Sequence, residues 1–152
     1  MSNQPPYGYP GGPQGYQGGG YPPPPGPPPG KTKVLNLDYN VAAMLGYLPI
    51  CCVHLICSII WIASEPKENR FLRFHALQSL ILTGALFAIY IVLWIFGAVA
   101  SRIFFGFGLI VFLLECAVGV VALVLFILGA VKAYQGQMWK LPIIGDMAEK
   151  NS

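Results

Sequence analysis

Hydrophobic residues are concentrated in three long runs between residues 41 and 131, separated by short polar segments. The runs cover 41–64, 74–100 and 103–131, and each is long enough for the roughly 20 apolar residues that a helix needs to cross a bilayer. The pattern therefore predicts an all-α integral membrane protein, built as a three-helix transmembrane bundle. Dividing the third run into two short helices would make four, although that run has no central breaker.

The first run carries a proline at position 49. Proline removes a backbone N–H and crowds the carbonyl four residues earlier, near Leu45, so we expect one kinked span over 41–64. Asp38 or Asn40 can cap its start, because either side chain can accept from the first-turn amides.

Composition divides the chain into three parts. Of the 152 residues, 55% are hydrophobic and only 10% are charged, whereas a soluble domain carries about 25% charged residues. Residues 1–30 are almost all Pro, Gly, Tyr, Gln, Ser and Asn, and such a segment cannot bury enough apolar surface to order itself. We expect a disordered Pro/Gly/Tyr-rich tail over 1–30, a polar entry segment over 31–40 and a transmembrane domain over 41–150.

The net charge of +3 comes from basic residues that flank the apolar runs. They form no basic face, so the lipid bilayer is the expected partner and nucleic acid is not. With three spans, the positive-inside rule puts the loop 65–75 and the C-terminus in the cytoplasm and exports the N-terminal tail. Four side chains are expected to anchor the bundle at the lipid–water interface: Trp61, Arg70, Arg73 and Trp139.

The second run begins with four polar residues at helical spacing. His75, Gln78, Ser79 and Thr83 follow the spacing i, i+3, i+4, i+8, which puts them on one face of a helix. Such a face is expected to turn toward protein rather than lipid.

Two ionisable residues, His54 and Glu115, lie near the middle of the first and third runs. A charge at this depth costs about 2.5–3.5 kcal/mol on insertion scales, so both are candidate functional residues. They can pair with each other if these two spans are neighbours. Alternatively, each points inward to its own hydrogen-bond partner and Glu115 is neutral.

Cys51, His54 and Cys57 share a helical face, which makes a metal site conceivable. Cysteines inside apolar runs are more typical of buried structural residues, however. We therefore expect no metal and no cofactor. Nothing in the chain resembles a nucleophile–base pair, so an enzyme is not expected either.

Three stretches carry a family resemblance: YLPI at 47–50, EPKENRFLRFHALQSL at 65–80, and AYQGQMWKLPIIGDMAEK at 133–150. Together they resemble a bacterial membrane family named for its similarity to the Tic-type chloroplast protein-import component. They are also similar to magnetosome membrane proteins of the MamF/MmsF type. The resemblance covers residues 40–150 and implies an integral membrane location and a helical hairpin fold. Many members of the Tic-like family are domains of unknown function, and its Tic-type namesakes are expected to have four spans.

The sequence favours a structural or scaffolding membrane protein that self-associates or organises other membrane proteins. Small residues four apart, Ala42 with Gly46 and Gly84 with Ala88, allow close helix approach within or between copies. The alternative is a channel or protein-translocation component, for which the polar face of the second run would provide the pathway. The expected location is multi-pass, in the bacterial inner membrane.

Overall fold

The computed structural model describes residues 29–50 and 52–152 of the chain. The described part is helical, with an isolated bridge between Lys31 and Asp38 as its one strand-like pairing. The predicted tail over 1–30 lies outside the described residues except for its last two positions. The helices are α1 Tyr39–Leu45, α2 Val53–Ser64, α3 Arg70–Ile103, α4 Phe105–Tyr134 and α5 Ile144–Asn151.

Helices α3 and α4 form a long antiparallel hairpin, and both are long and apolar enough to cross a membrane. One extended residue, Phe104, separates them. The sequence placed this break at Ser101 and Arg102, but both residues remain helical. Neither side chain removes a backbone hydrogen bond, and arginine is a good helix former. The all-helical class is confirmed with these two candidate spans, whereas the count of three is not confirmed.

The first apolar run is interrupted rather than kinked. Helix α1 ends at Leu45, four residues before Pro49, and α2 begins at Val53. This is the position at which the proline ring conflicts with the preceding helical turn. The predicted span over 41–64 is therefore two short helices, and neither has the length that a bilayer requires.

Helix α1 runs inward along the α3–α4 hairpin from its open end. Its start is fixed by Asn40, whose side-chain amide donates to the carbonyl of Tyr134 at the end of α4, 3.2 Å away. Its end is fixed by Ser79, whose hydroxyl donates to the carbonyl of Gly46. Since Ser79 lies nine residues into α3, α1 and its cap reach about 14 Å along the hairpin.

Helix α2 then returns to the same end. The backbone N–H of Lys33, which precedes α1, donates to the carboxylate of Glu65, which follows α2, at 2.7 Å. Arg73, in the first turn of α3, donates to the carbonyl of Ile62 at 2.9 Å. The entry segment and the charged loop therefore lie side by side, which differs from the expected arrangement on opposite sides of a membrane.

The packed core lies at this end of the hairpin, where α1, α2 and α5 cover the first half of α3 and the last part of α4. Farther along, apolar side chains point outward, with Trp94 70% exposed and Phe105 88% exposed. Core side chains include Ala42, Ala43, Tyr47, Trp61, Leu72, Leu82, Phe126, Ala133 and Leu141.

Gly129 of α4 provides a test of this packing. A Cβ atom built on Gly129 would lie 2.6 Å from the ring of Tyr47, whereas one built on Gly84 would meet nothing within 4 Å. We expect Gly129→Ala to destabilise the folded protein by about 1–3 kcal/mol through overpacking. Gly84→Ala, the matched control, should be neutral or stabilising, because alanine has the higher helix propensity. Thermal unfolding in detergent measures both, and equal midpoints would contradict the close contact.

The shared end of the hairpin predicts which positions lie on one side of a membrane. With the native cysteines replaced, single cysteines at Lys31, Lys150 and Arg102 can be labelled by a membrane-impermeant thiol reagent in intact cells. We expect the cysteines at Lys31 and Lys150 to behave alike and the one at Arg102 to behave oppositely, because Arg102 lies near the α3–α4 turn. A cysteine at Lys31 that labels together with the one at Arg102 would restore the three-span topology.

Candidate functional site

A buried set of polar side chains lies where the interrupted first run meets α3. Helix α3 contributes His75, Gln78 and Ser79, each at most 1% exposed, and the break between α1 and α2 contributes Tyr47. The segment 135–143, between α4 and α5, supplies backbone partners. We call Tyr47, His75 and Gln78, with their backbone partners at 137–141, the Tyr47 network.

His75 links two of these segments. Its Nε2 lies 3.1 Å from the carbonyl of Gln137, and its Nδ1 lies 3.2 Å from the hydroxyl of Tyr47. A carbonyl can only accept, so Nε2 carries a hydrogen and donates; in the neutral ring, Nδ1 then accepts from the Tyr47 hydroxyl. The ring also packs edge-on against Phe71 and Phe74.

Gln78 uses its amide on both sides. Its Nε2 donates to the Tyr47 hydroxyl at 3.0 Å and to the Trp139 carbonyl at 3.1 Å. Its Oε1 accepts from the backbone N–H of Leu141, also at 3.1 Å. The donor directions agree throughout the network, so each of its polar atoms has a partner of the correct type. Such complete satisfaction is what a buried polar cluster requires.

The other two residues of the predicted polar face behave differently from each other. Ser79 donates across to the carbonyl of Gly46, at the end of α1. Thr83 is half-buried and donates back to the carbonyl of Ser79 in its own helix at 2.9 Å. The structure therefore brings His75, Gln78 and Ser79 into the core and leaves Thr83 at its edge.

Chemically, the arrangement holds backbone segments in place. The buried side chains of α3 bond to carbonyls and N–H groups of the chain itself, which fixes residues 137–141 and the α1–α2 break against α3. Within residues 29–50 and 52–152, no group of three or more His, Cys, Asp or Glu side chains is placed to hold a metal ion. Cys51 lies outside the described residues, so the Cys51, His54 and Cys57 face is described only in part.

Two predicted interfacial anchors lie elsewhere. Trp61 is fully buried, and its indole N–H donates to the carbonyl of Ala42 at 2.9 Å. Arg73 is half-buried, and its guanidinium donates to the carbonyl of Ile62 in the last turn of α2. Both side chains satisfy backbone carbonyls of the interrupted first run, which is why neither points to lipid.

The other two anchors remain near the surface of the packed end. Arg70 is exposed at the first position of α3. Trp139 is half-buried, and its ring packs against the core while its carbonyl accepts from Gln78. Nearby, the exposed Lys140 donates to Glu149 of α5 at 2.6 Å, and this hydrogen bond raises the pKa of the ammonium group.

The structure does not bring His54 and Glu115 together. The ring of His54 packs edge-on against Phe126 of α4 at a centroid distance of 5.4 Å. Glu115 lies eleven residues earlier on α4, about 16 Å away along the helix axis. The expected pairing fails because the chain turns back between α1 and α2 before it reaches that depth. The two ring nitrogens of His54 are buried and have no hydrogen-bond partner among the described residues.

Two residues, one inside the Tyr47 network and one outside it, carry roles that the sequence did not indicate. Tyr47 is the centre of the network, yet it lies in an apolar run, and its proximity to the Pro49 break was the available signal. Glu65, outside the network, is 4% exposed, and its carboxylate accepts from the Lys33 backbone and, at 3.2 Å, from Asn69. Because the loop is rich in charged residues, the sequence alone does not indicate that this carboxylate is buried.

The network predicts a cost for removing one hydroxyl. Tyr47→Phe leaves His75 Nδ1 and one N–H of Gln78 without partners, and we expect a loss of about 1–3 kcal/mol in unfolding free energy. Tyr39→Phe is the control, because the Tyr39 hydroxyl makes no hydrogen bond among the described residues and its loss should cost less than about 0.5 kcal/mol. Chemical denaturation in mixed micelles compares the two variants, and equal losses would argue against the network.

Comparison with known proteins supports one of the two expected resemblances. The pattern of the magnetosome magnetite crystal formation protein family, MamF/MmsF, matches residues 37–148. A UPF0132 membrane protein of Methanocaldococcus jannaschii is 38% identical over 123 residues, which cover 81% of this chain and 96% of the relative. A UPF0132 membrane protein of Archaeoglobus fulgidus is 37% identical over 111 residues, covering 73% of this chain and 92% of the relative.

No solved structure matches the chain. None of the descriptions above carries the Tic-type name, and the relatives named are archaeal, so the Tic-like label and the bacterial inner membrane stay predictions. The match over residues 37–148, together with relatives named as membrane proteins, means that this chain belongs to the MamF/MmsF family and is a membrane protein.

Proposed function

We propose that this chain is a non-enzymatic structural component of the membrane that self-associates through its helical hairpin. The observation that carries the proposal is the difference between the two halves of α3. Its first turns commit their polar side chains to bonds within the chain, whereas its second half presents apolar side chains outward. A rigid packed end and an outward-facing apolar hairpin suit a protein that works by assembling in a bilayer.

The channel or translocation alternative has less support. Its best evidence in the sequence was the polar face of His75, Gln78, Ser79 and Thr83. Three of these side chains bond to backbone or to Tyr47 in the core, and Thr83 bonds within its own helix. A conducting pathway needs polar groups that face water, whereas the polar side chains of this face are hydrogen-bonded within the protein.

The membrane arrangement that fits the proposal has two crossings, α3 and α4, with α1 and α2 dipping in and returning. Eight of the nine Lys and Arg residues then lie at the packed end, and Arg102 alone lies at the other. The positive-inside rule orients the packed end toward the cytoplasm. The eight are Lys31, Lys33, Lys67, Arg70, Arg73, Lys132, Lys140 and Lys150.

Reconstitution in liposomes tests the proposal with two measurements on the same sample. Donor- and acceptor-labelled copies should show energy transfer that falls as unlabelled lipid dilutes them, because association in a bilayer follows mass action. Flux of protons and of a small dye should equal that of protein-free liposomes, which serve as the control. Flux that rises with protein content would favour the translocation alternative, and energy transfer no greater than that of random mixing would contradict self-association.

A further inference from the structure

We propose that a second copy of this chain docks on one face of the α3–α4 hairpin, with Glu115 at the centre of the contact. This inference rests on the self-association proposed above and names its surface. The Glu115 face consists of Trp94, Ala98 and Ser101 from α3, with Gly108 and Glu115 from α4.

Two depressions in the hairpin surface, of about 320 Å³ and 210 Å³, meet on this face. Both are lined by Trp94 and Glu115, and Ala98, Ser101 and Gly108 line the second. Small residues at a helix surface let another helix approach closely in a membrane. Trp94 is 70% exposed beside them, which gives a partner a large apolar side chain to cover.

Glu115 is a half-buried carboxyl without a partner of its own. Tyr90 donates to the backbone carbonyl of Glu115 at 3.3 Å rather than to its side chain. Among the described residues, no hydrogen bond or ion pair reaches the carboxyl group. Glu115 lies ten residues after the start of α4, at a depth of about 15 Å. This is half the thickness of the hydrocarbon core, where an unpaired carboxylate is most costly.

A carboxyl group in its acid form carries one O–H donor and one carbonyl acceptor, so two such groups can satisfy each other. Copies inserted in the same orientation are related by an axis along the membrane normal, which places each residue opposite its own counterpart at equal depth. A self-complementary group near that axis identifies the occupant as a second copy of this chain.

The opposite side of the hairpin does not offer the same contact. Its groove, of about 420 Å³, is lined entirely by apolar residues, among them Ala85, Ala117 and Val121. It contains no side chain whose hydrogen bonding would be completed by a copy, and lipid acyl chains can fill it as well as protein can. Ala117 therefore serves as the matched control position on α4.

The first experiment maps the face. In full-length protein with the four native cysteines replaced by alanine, Ala98→Cys and Ala117→Cys are oxidised with copper phenanthroline in native membranes. The Ala98→Cys variant should form a covalent dimer, and the Ala117→Cys variant should remain monomeric. Dimer formation through Ala117→Cys alone would place the interface on the opposite groove and overturn the proposal.

The second experiment tests the carboxyl through energy transfer in liposomes. Glu115→Leu, which suits the bilayer and should still fold, is expected to weaken association by about 3- to 20-fold, the range for hydrogen bonds between membrane helices. Glu115→Gln retains an N–H donor and a carbonyl acceptor, so its association should stay close to that of the wild type. Association that is unchanged in Glu115→Leu would overturn the Glu115 face and leave self-association standing, whereas a wild type that does not associate would overturn both.

Discussion

The fold depends on one constraint, which is that an interrupted helix in apolar surroundings must find partners for its free backbone carbonyls. The end of each helix leaves such groups unpaired, and lipid offers no water to satisfy them. In this chain, side chains from other segments supply the missing donors. Trp61 donates to the carbonyl of Ala42, Ser79 to Gly46, Arg73 to Ile62 and Asn40 to Tyr134.

The same constraint explains why the C-terminal segment is ordered without a long helix of its own. Residues 137–141 expose backbone groups next to an apolar core, and His75 and Gln78 bond to three of them. Each buried group left unpaired would cost about 1–3 kcal/mol. The buried polar side chains of α3 therefore hold irregular backbone in place. Their hydrogen bonds to that backbone offset the free energy lost when they leave water. Helix α5 can then pack on α3, where Gly145 leaves room for the Gln78 side chain.

Periodicity and composition predicted the parts of the fold that follow from local rules. The apolar runs gave the helical class and the long α3–α4 hairpin, and the spacing of His75, Gln78 and Ser79 predicted a face turned toward protein. They could not predict the interruption at Pro49, because a proline in a membrane helix either kinks or ends it according to whether tertiary donors are present. The position of Trp61 depends on the same long-range pairing. A tryptophan near the end of an apolar run has the sequence signature of an interfacial anchor, whether it faces lipid or a carbonyl.

The α1–α2 hairpin brings hydrogen-bond partners to the first turns of α3, and even there the ring nitrogens of His54 have none among the described residues. That hairpin reaches Ser79 on α3 and Phe126 on α4. Glu115 lies about 16 Å beyond Phe126 along α4, where the described part of the chain offers α3 and α4 alone. The Glu115 carboxyl has no hydrogen-bond partner among the described residues, and the proposed contact with a second copy would supply one. On the association proposed above, the geometry that packs α1 and α2 against one end of the hairpin leaves the other end to be covered by a second copy.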